Sequence, residues 1–234
     1  MSARGVFIAG TDTGVGKTRC SVALIHALRA TGARVLGFKP VASGCLPSPQ
    51  GLRNEDALAL QAAGTDPAAY ASINPYALRD PVAPHLAAAA MGVQIDIGHI
   101  AQSYAELGRA ADWVVVEAAG GWRVPLSDSL MQDAIPRRLE LPVVLIVGLR
   151  LGCINHALLS ATAIAADGCP LLGWIGNLVD PHMAQLGANI ETLRRLLPVP
   201  LLGIVPHGRD IETDAQAIAA AAALCIAPRD LRNA

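Results

Sequence analysis

The residues Gly10-Thr11-Asp12-Thr13-Gly14-Val15-Gly16-Lys17-Thr18 hold the densest chemistry in the chain. An apolar run, Val6–Ala9, leads into them, and the helix-like stretch Ser21–Leu28 follows. Glycines let such a loop curl so that successive N–H groups face one anion. The helix that starts there adds the positive end of its dipole. Lys17 then reaches the outer phosphates and the Thr18 hydroxyl can ligate a divalent cation. The first glycine, Gly10, stands one residue earlier than in the spaced G-x-x-x-x-G-K-T pattern, with Thr11 in its place. Lys39, between Phe38 and Pro40, is the second basic candidate: proline keeps the preceding residue extended, so the ammonium is aimed over a strand end. A second lysine beside Lys17 suits phosphoryl transfer onto an anionic acceptor such as a carboxylate or carbamate, and a snorkelling surface lysine is the plainer alternative. Glu117 ends the buried run Val114–Val116, where a carboxylate is costly without a cation; a metal ion and a Lys or Arg partner both meet that need. Asp56 opens a helix, where an acid serves the dipole whether or not it binds a metal.

The elements that must position these groups alternate along the chain. Strands are expected at Gly5–Ala9, Arg34–Phe38, Trp113–Glu117, Pro142–Val147, Leu171–Asn177 and Leu201–Val205. Helices are expected at Lys17–Ala30, Asp56–Ala63, Val82–Met91, Ile97–Ala110, Met131–Leu139, Ile154–Ala166, Ala184–Leu196 and Thr213–Ala223, while the Pro/Ser/Gly-rich stretch Leu46–Leu52 reads as a loop. Strands separated by helices imply right-handed crossovers and an open, mainly parallel sheet with helices on both faces. One α/β domain over residues 1–234 accommodates them. Ligands in such sheets sit beyond the carboxyl ends of the strands. The phosphate loop, Lys39–Gly44, Glu117–Trp122, Arg150–His156, Asn177–Asp180 and Pro206–Gly208 all fall there, so nearly every reactive side chain gathers at one edge. His85 and His156 lie in Ala- and Leu-rich helical stretches and read as ordinary histidines; Cys45 and Cys153 lack an adjacent base.

Composition narrows the class. Hydrophobic content of 53% with only 3% aromatics describes an aliphatic interior, which favours helices on a parallel sheet over an all-β sandwich. A net charge of −1 leaves no basic field for nucleic acid or a membrane surface. Five scattered cysteines without a C-x-x-C pair read as reduced thiols, not as a disulfide framework or a zinc site. The chain enters its first strand within a few residues and has no apolar run that spans a bilayer, so a cytoplasmic location is expected.

Several blocks together resemble dethiobiotin synthetase, a P-loop NTPase-like family. They are Gly10-Thr11-Asp12-Thr13 with Val15-Gly16-Lys17-Thr18, Lys39-Pro40-Val41-Ala42-Ser43-Gly44, Gly51-Leu52-Arg53-Asn54 with Asp56, Asn74-Pro75-Tyr76, Pro84-His85, Glu117 with Gly120-Gly121-Trp122, and Leu151-Gly152-Cys153-Ile154-Asn155-His156. The likeness extends from the first strand to about Pro206. It implies an ATP- and Mg²⁺-dependent homodimeric ligase of biotin biosynthesis, which closes a cyclic urea from 7,8-diaminopelargonic acid and CO₂ or bicarbonate. By this likeness Lys17 holds the phosphates and Thr18, Asp56 and Glu117 hold Mg²⁺. Lys39 stabilises the carbamate and the phosphoryl in transfer, and Ser43 contacts the substrate. The nucleotide contacts run through Asp12, Thr13, Gly14, Val15, Gly16, Lys17, Thr18 and Arg19, with Asp56, Glu117, Gly120, Asn177 and Pro206; Asn177 reads the adenine. The helix start at Gly152-Cys153-Ile154-Asn155 receives the substrate carboxylate from the neighbouring subunit. Ala118 stands where the family usually has glycine, and Leu178 follows the base-reading asparagine where an acid is common.

Two other classes share the loop. Switch ATPases of the cell-division or plasmid-partition type carry an extra lysine early in the loop, where this chain has Asp12. Regulatory GTPases use N-K-x-D to read guanine; Asn177-Leu178-Val179-Asp180 lacks the lysine.

Overall fold

Val6–Ala9, Val114–Val116 and Val143–Val147 are apolar at every position, the pattern of strands buried on both faces. In the computed structural model, which describes residues 3–208 and 210–226, they form the middle of a six-stranded parallel sheet. The elements in chain order are β1 (Arg4–Gly10), α1 (Lys17–Arg29), β2 (Val35–Phe38), β3 (Val41–Ala42), β4 (Leu46–Ser48), β5 (Gly51–Arg53), α2 (Glu55–Ala63), α3 (Tyr70–Ile73), β6 (Tyr76–Ala77), α4 (Pro84–Ala90), α5 (Ile97–Gly108), β7 (Trp113–Glu117), α6 (Ala134–Arg138), β8 (Val143–Leu149), α7 (Cys153–Ala166), β9 (Leu171–Leu178), α8 (Leu186–Leu196), β10 (Leu201–Val205), α9 (Ile211–Ala217) and α10 (Ala219–Ile226). The sheet order is β10-β9-β8-β1-β7-β2, with every pairing parallel.

Alternation along β1 divides the core into two layers. Val6 and Ile8 pack on the side of α1, with Leu24, Leu28 and Ile218. Phe7 and Ala9 face the other way, toward Ile100 of α5 and Ala157 and Ile164 of α7. All six expected strands are present within two residues of their expected limits, and helices do cover both faces of the sheet.

Three local readings change. Leu46–Leu52 is not a plain loop: β4 and β5 form an antiparallel hairpin in which Leu46 faces Arg53 and Ser48 faces Gly51. Pro47 is tolerated because the ribbon has only two strands, so a missing donor can face away from the ladder. The turn is closed by Ser48 Oγ, which donates to the Gly51 carbonyl at 2.7 Å and accepts from the Gln50 N–H at 3.2 Å. The single helix expected over Thr213–Ala223 is broken at Ile218 into α9 and α10. There the chain passes so close to β10 that a Cβ at Gly203 would collide with the Ala217 carbonyl. Finally, α4 and α6 are shorter than the apolar runs that suggested them, starting at Pro84 and Ala134.

Register decides what meets at the upper rim. Phe38 of β2 is opposite Val116 of β7, and Ile8 of β1 is opposite Glu117. Lys39, one residue past β2, therefore emerges directly beside Glu117, and the loop after β1 emerges on the other side of that carboxylate.

Candidate active site

The loop between β1 and α1 is shaped by two glycines. Gly16 adopts φ +83° as the residue before α1, and a Cβ there would also run into the Asn177 amide. Gly10 leaves the space into which Lys17 folds: a Cβ at Gly10 would lie 2.9 Å from Lys17 Cδ and 3.0 Å from its Nζ. Lys17 is thereby buried, its Nζ donating to the Asp12 carbonyl at 2.9 Å. Burial, and then the charge of nearby Lys39, lower its pKa to about 8. Asp12 does not point at the loop centre. One oxygen accepts from the Thr13 N–H at 2.7 Å, and the other meets Arg150 at 2.6 Å, tying the loop to the segment after β8.

Thr18, Lys39, Asp56 and Glu117 close into one cluster. Thr18 Oγ1 lies 2.6 Å from Asp56 Oδ1 and 2.9 Å from Glu117 Oε1. Its single proton satisfies only one of the two at a time. Lys39 Nζ bridges the same carboxylates, 2.6 Å from Glu117 Oε1 and 2.9 Å from Asp56 Oδ2, and donates to the Ala118 carbonyl at 3.3 Å. Of the two alternatives left open for Glu117, the pairing with a lysine is observed, and the same oxygen also faces the Thr18 hydroxyl. Burial alone would push the Lys39 ammonium down, but Glu117 and Asp56 more than offset this and hold its pKa above the ordinary lysine value. Burial also opposes ionisation of Asp56; Lys39 and the Thr18 hydrogen bond outweigh it and hold that carboxyl below the usual range. Asp56 is not the helix cap. Asn54 is, its side chain accepting from the Ala57 N–H at 3.2 Å, which leaves Asp56 free to turn toward Thr18. Thr18, Asp56 and Glu117 present only oxygens, and the buried Glu117 Oε2 has no partner, a donor set that fits a hard divalent cation.

Beside the cluster opens a cleft of 570 Å³, with Lys39, Ser43, Asp56 and Thr13 on its polar side and Val82, Pro84 and Val124 on its apolar side. Ser43 Oγ is buried and has no partner within the chain. Gly120, at φ +57°, forms the opposite lip. Its loop is set by Gln132, which sequence reasoning missed: the fully buried amide accepts from the Ala119 N–H at 2.7 Å and donates to the Gly121 carbonyl at 2.8 Å. No spacing in the sequence flags it.

Other expected residues stand apart from this cleft. Asn177 lies behind the phosphate loop, where its Nδ2 donates to the Val15 carbonyl at 2.9 Å while the buried Oδ1 has no partner. Val205 is in register with Asn177, so Pro206 leaves the sheet beside it. The Arg19 guanidinium turns to the buried Asp214 of α9, at 2.5 and 2.8 Å, so its side chain braces α1 instead of facing the loop. Gly152-Cys153-Ile154-Asn155 does form a helix start, with Gly152 at φ +95°, but it does not line the cleft of Lys39 and Ser43. Among the described residues no helix is long and apolar enough to cross a membrane.

A glycine-shaped loop from the central strand of a parallel sheet, a lysine folded over it, and a threonine beside two carboxylates define a P-loop nucleotide-binding protein. Residues 4–215 match the family described as an AAA domain. The chain is 55% identical to an ATP-dependent dethiobiotin synthetase of Xanthomonas oryzae pv. oryzae over 93% of its own length and 97% of the relative's. It is 53% identical to one of Xylella fastidiosa over 88% and 92%. The chain belongs to the dethiobiotin synthetase family, and it is an enzyme of the ATP-dependent ligase type. Among solved structures it is similar to the MinD cell division protein of Aquifex aeolicus, with a TM-score of 0.59 over 94% of this chain and 96% of that one, at 18% identity. A ParA family ATPase from Chlorobium tepidum superposes with a TM-score of 0.55 over 94% and 92%, at 12% identity. At such identities the likeness to these two ATPases is one of fold.

Proposed function

We propose that this enzyme closes the ureido ring of dethiobiotin from 7,8-diaminopelargonic acid and CO₂, through a carbamate and a carbamic–phosphoric anhydride, releasing ADP and phosphate. The observation that carries the reading is the convergence of Lys39, Thr18, Asp56 and Glu117 beside a cleft that also presents Ser43. Lys17 and the N–H groups from Thr13 to Thr18, with that of Arg19, cradle the phosphates. Asn177 Nδ2 donates one hydrogen to Val15, while its partnerless Oδ1 is an acceptor that suits the amino group of adenine. Pro206, beside it, would border the base.

Mg²⁺, held by Thr18, Asp56 and Glu117, would neutralise phosphate charge when bound. Lys39 sits where the acceptor meets the terminal phosphoryl group. An alkylamine with a pKa of ~10.4 is neutral in only about one molecule in a thousand at pH 7. The positive charges of Lys17 and Lys39 favour the neutral amine, and hence its carbamate, over the ammonium. Carbamate oxygen is a poor leaving group until phosphorylated, and Lys39 is placed to stabilise the charge that develops in that transfer. Attack by the second amine is then intramolecular, where orientation is worth roughly 7–11 kcal/mol.

The start of α7 lies away from the cleft, which is consistent with Gly152–Asn155 serving the substrate carboxylate of a neighbouring subunit. Leu151 and Leu159 are 95% and 62% exposed there, apolar area that a homodimer would cover. The protein would act in the cytoplasm, without nucleic-acid or membrane partners. The test supplies diaminopelargonate, ATP, Mg²⁺ and labelled bicarbonate. Label in a cyclic urea, dependent on diaminopelargonate, is expected; ATP hydrolysis without labelled product would refute the reading.

A further inference from the structure

Behind the cleft a buried chain of hydrogen bonds joins Ser43, Asn54 and Lys39, and its two inner members, Tyr70 and Asn74, do not line the cleft. It starts at Asn54, the cap of α2, whose Nδ2 lies 3.4 Å from the Ser43 carbonyl. The Asn54 N–H donates to Tyr70 Oη at 2.8 Å, and Tyr70 Oη donates to Asn74 Oδ1 at 3.0 Å. Asn74 Nδ2 then donates to the Lys39 carbonyl at 2.7 Å. The other side of the Lys39 backbone is held by the same segment, its N–H donating to the Ile73 carbonyl at 2.8 Å. Both peptide groups of Lys39 are therefore gripped by one turn, α3 and the residue after it. Tyr70, Asn74 and Asn54 are each buried, and the guanidinium of Arg53 lies 4.1 Å from the Tyr70 ring centroid.

This arrangement does more than satisfy buried polar groups. Lys39 sits on the strand end after β2, and Asp56 in the first turn of α2; β3 and the hairpin β4–β5 separate them in the chain, and Leu60 of α2 packs against Gly37 of β2 below them. The Tyr70 hydroxyl bonds at once to the backbone from which α2 starts and to the amide that holds Lys39. We propose that Tyr70 and Asn74 are positioning residues, which fix the separation between the Lys39 ammonium and Asp56: the hydroxyl holds the Asn54 backbone, and through the Asn74 amide it holds the Lys39 backbone. The inference rests on the ligase reading for its catalytic consequence. Its structural content, a mechanical link between the two backbones, does not.

Tyr70→Phe removes one oxygen and keeps the ring under Arg53. A reacting group displaced by about 1 Å can lose ~100-fold in rate, so kcat should fall roughly 10- to 100-fold while the KM for ATP, set by Lys17 and its loop, stays nearly unchanged. Asn74→Ser, which removes the donor to Lys39 and leaves Tyr70 in place, should behave alike and covers the case in which the first variant fails to fold. Amide exchange followed by mass spectrometry gives the second readout: segments 38–42 and 54–57 should exchange faster in both variants, with α7 unaffected. Unchanged exchange in these segments overturns the proposal. So does faster exchange with unchanged kcat, or a fall in ATP affinity that parallels kcat. If the parent enzyme makes no dethiobiotin, the ligase reading fails, and the exchange measurement still decides the link.

Discussion

Replacing Lys39 by alanine isolates the central cluster. The side chain is buried, and its loss removes the bonds to Glu117 at 2.6 Å, Asp56 at 2.9 Å and Ala118 at 3.3 Å. Glu117 is fully enclosed and retains only the Thr18 hydroxyl, which Asp56 also claims. Breaking a buried pair from one side costs about 3–5 kcal/mol. The Asp56 side chain is 34% exposed, so its share is a surface-like ~0–1 kcal/mol. For a chain of this size each kcal/mol lowers the melting temperature by about 2–4 °C, so a fall of roughly 6–24 °C is expected. Millimolar Mg²⁺ should recover more of that loss in the variant than it adds to the parent, because a divalent cation takes up the same oxygens. Turnover should drop about 10²- to 10³-fold, the usual consequence of deleting one donor to developing charge. Nucleotide affinity should persist, since Lys17 and its loop are intact. Scanning calorimetry with and without Mg²⁺, a labelled-bicarbonate assay and nucleotide titration measure these quantities. Unchanged turnover would remove Lys39 from the reaction, and an unchanged melting temperature would refute the claim that it holds the two carboxylates.

Other outcomes follow from the same geometry. With its pKa near 8 in the empty protein, Lys17 is protonated at pH 7 and mostly neutral at pH 9, so ATP affinity should weaken by about tenfold per unit above pH 8, measured by calorimetric titration. The stability of the empty protein should move the other way: between about 8 and 10.5 the unfolded chain binds the proton that folded Lys17 has lost, so this group makes stability rise with pH there. Lys17→Met should abolish both trends. Gly16→Ala should lose nucleotide binding, because the residue must hold φ +83° and its methyl would displace Asn177; a folded variant with parental ATP affinity would contradict the loop geometry. Asn177→Ala should weaken ATP binding and narrow the preference for ATP over GTP in competition titrations, while an undiminished preference would mean that the base is read elsewhere.

The order of the six strands of the main sheet and of the helices around them, and the edge at which chemistry gathers, could be read from the sequence; the short β3–β6 strands and α3 could not. Their causes are local: doubly apolar runs make buried parallel strands, glycines make the phosphate loop, and ligands in such sheets lie beyond strand ends. Gly10–Thr18, Lys39 and Glu117 were conspicuous because each breaks the pattern of its surroundings. The tertiary structure decided which of those groups share a partner. Lys39 meets Glu117 because β2 and β7 pair in a register that brings them out side by side, although 77 positions lie between them in the chain. Asp56 reaches Thr18 only because Asn54, and not Asp56, caps α2. Family likeness implies Arg19 as a nucleotide contact, and the docking of α9 places Asp214 against its guanidinium. Gln132, Tyr70 and Asn74 left no sign of their bonds, since a buried amide or hydroxyl acquires its meaning from backbone groups that the fold brings to it. Local pattern specifies elements and exposes charges that do not fit them; pairing across the sheet, which depends on register between distant strands, assigns those charges their partners.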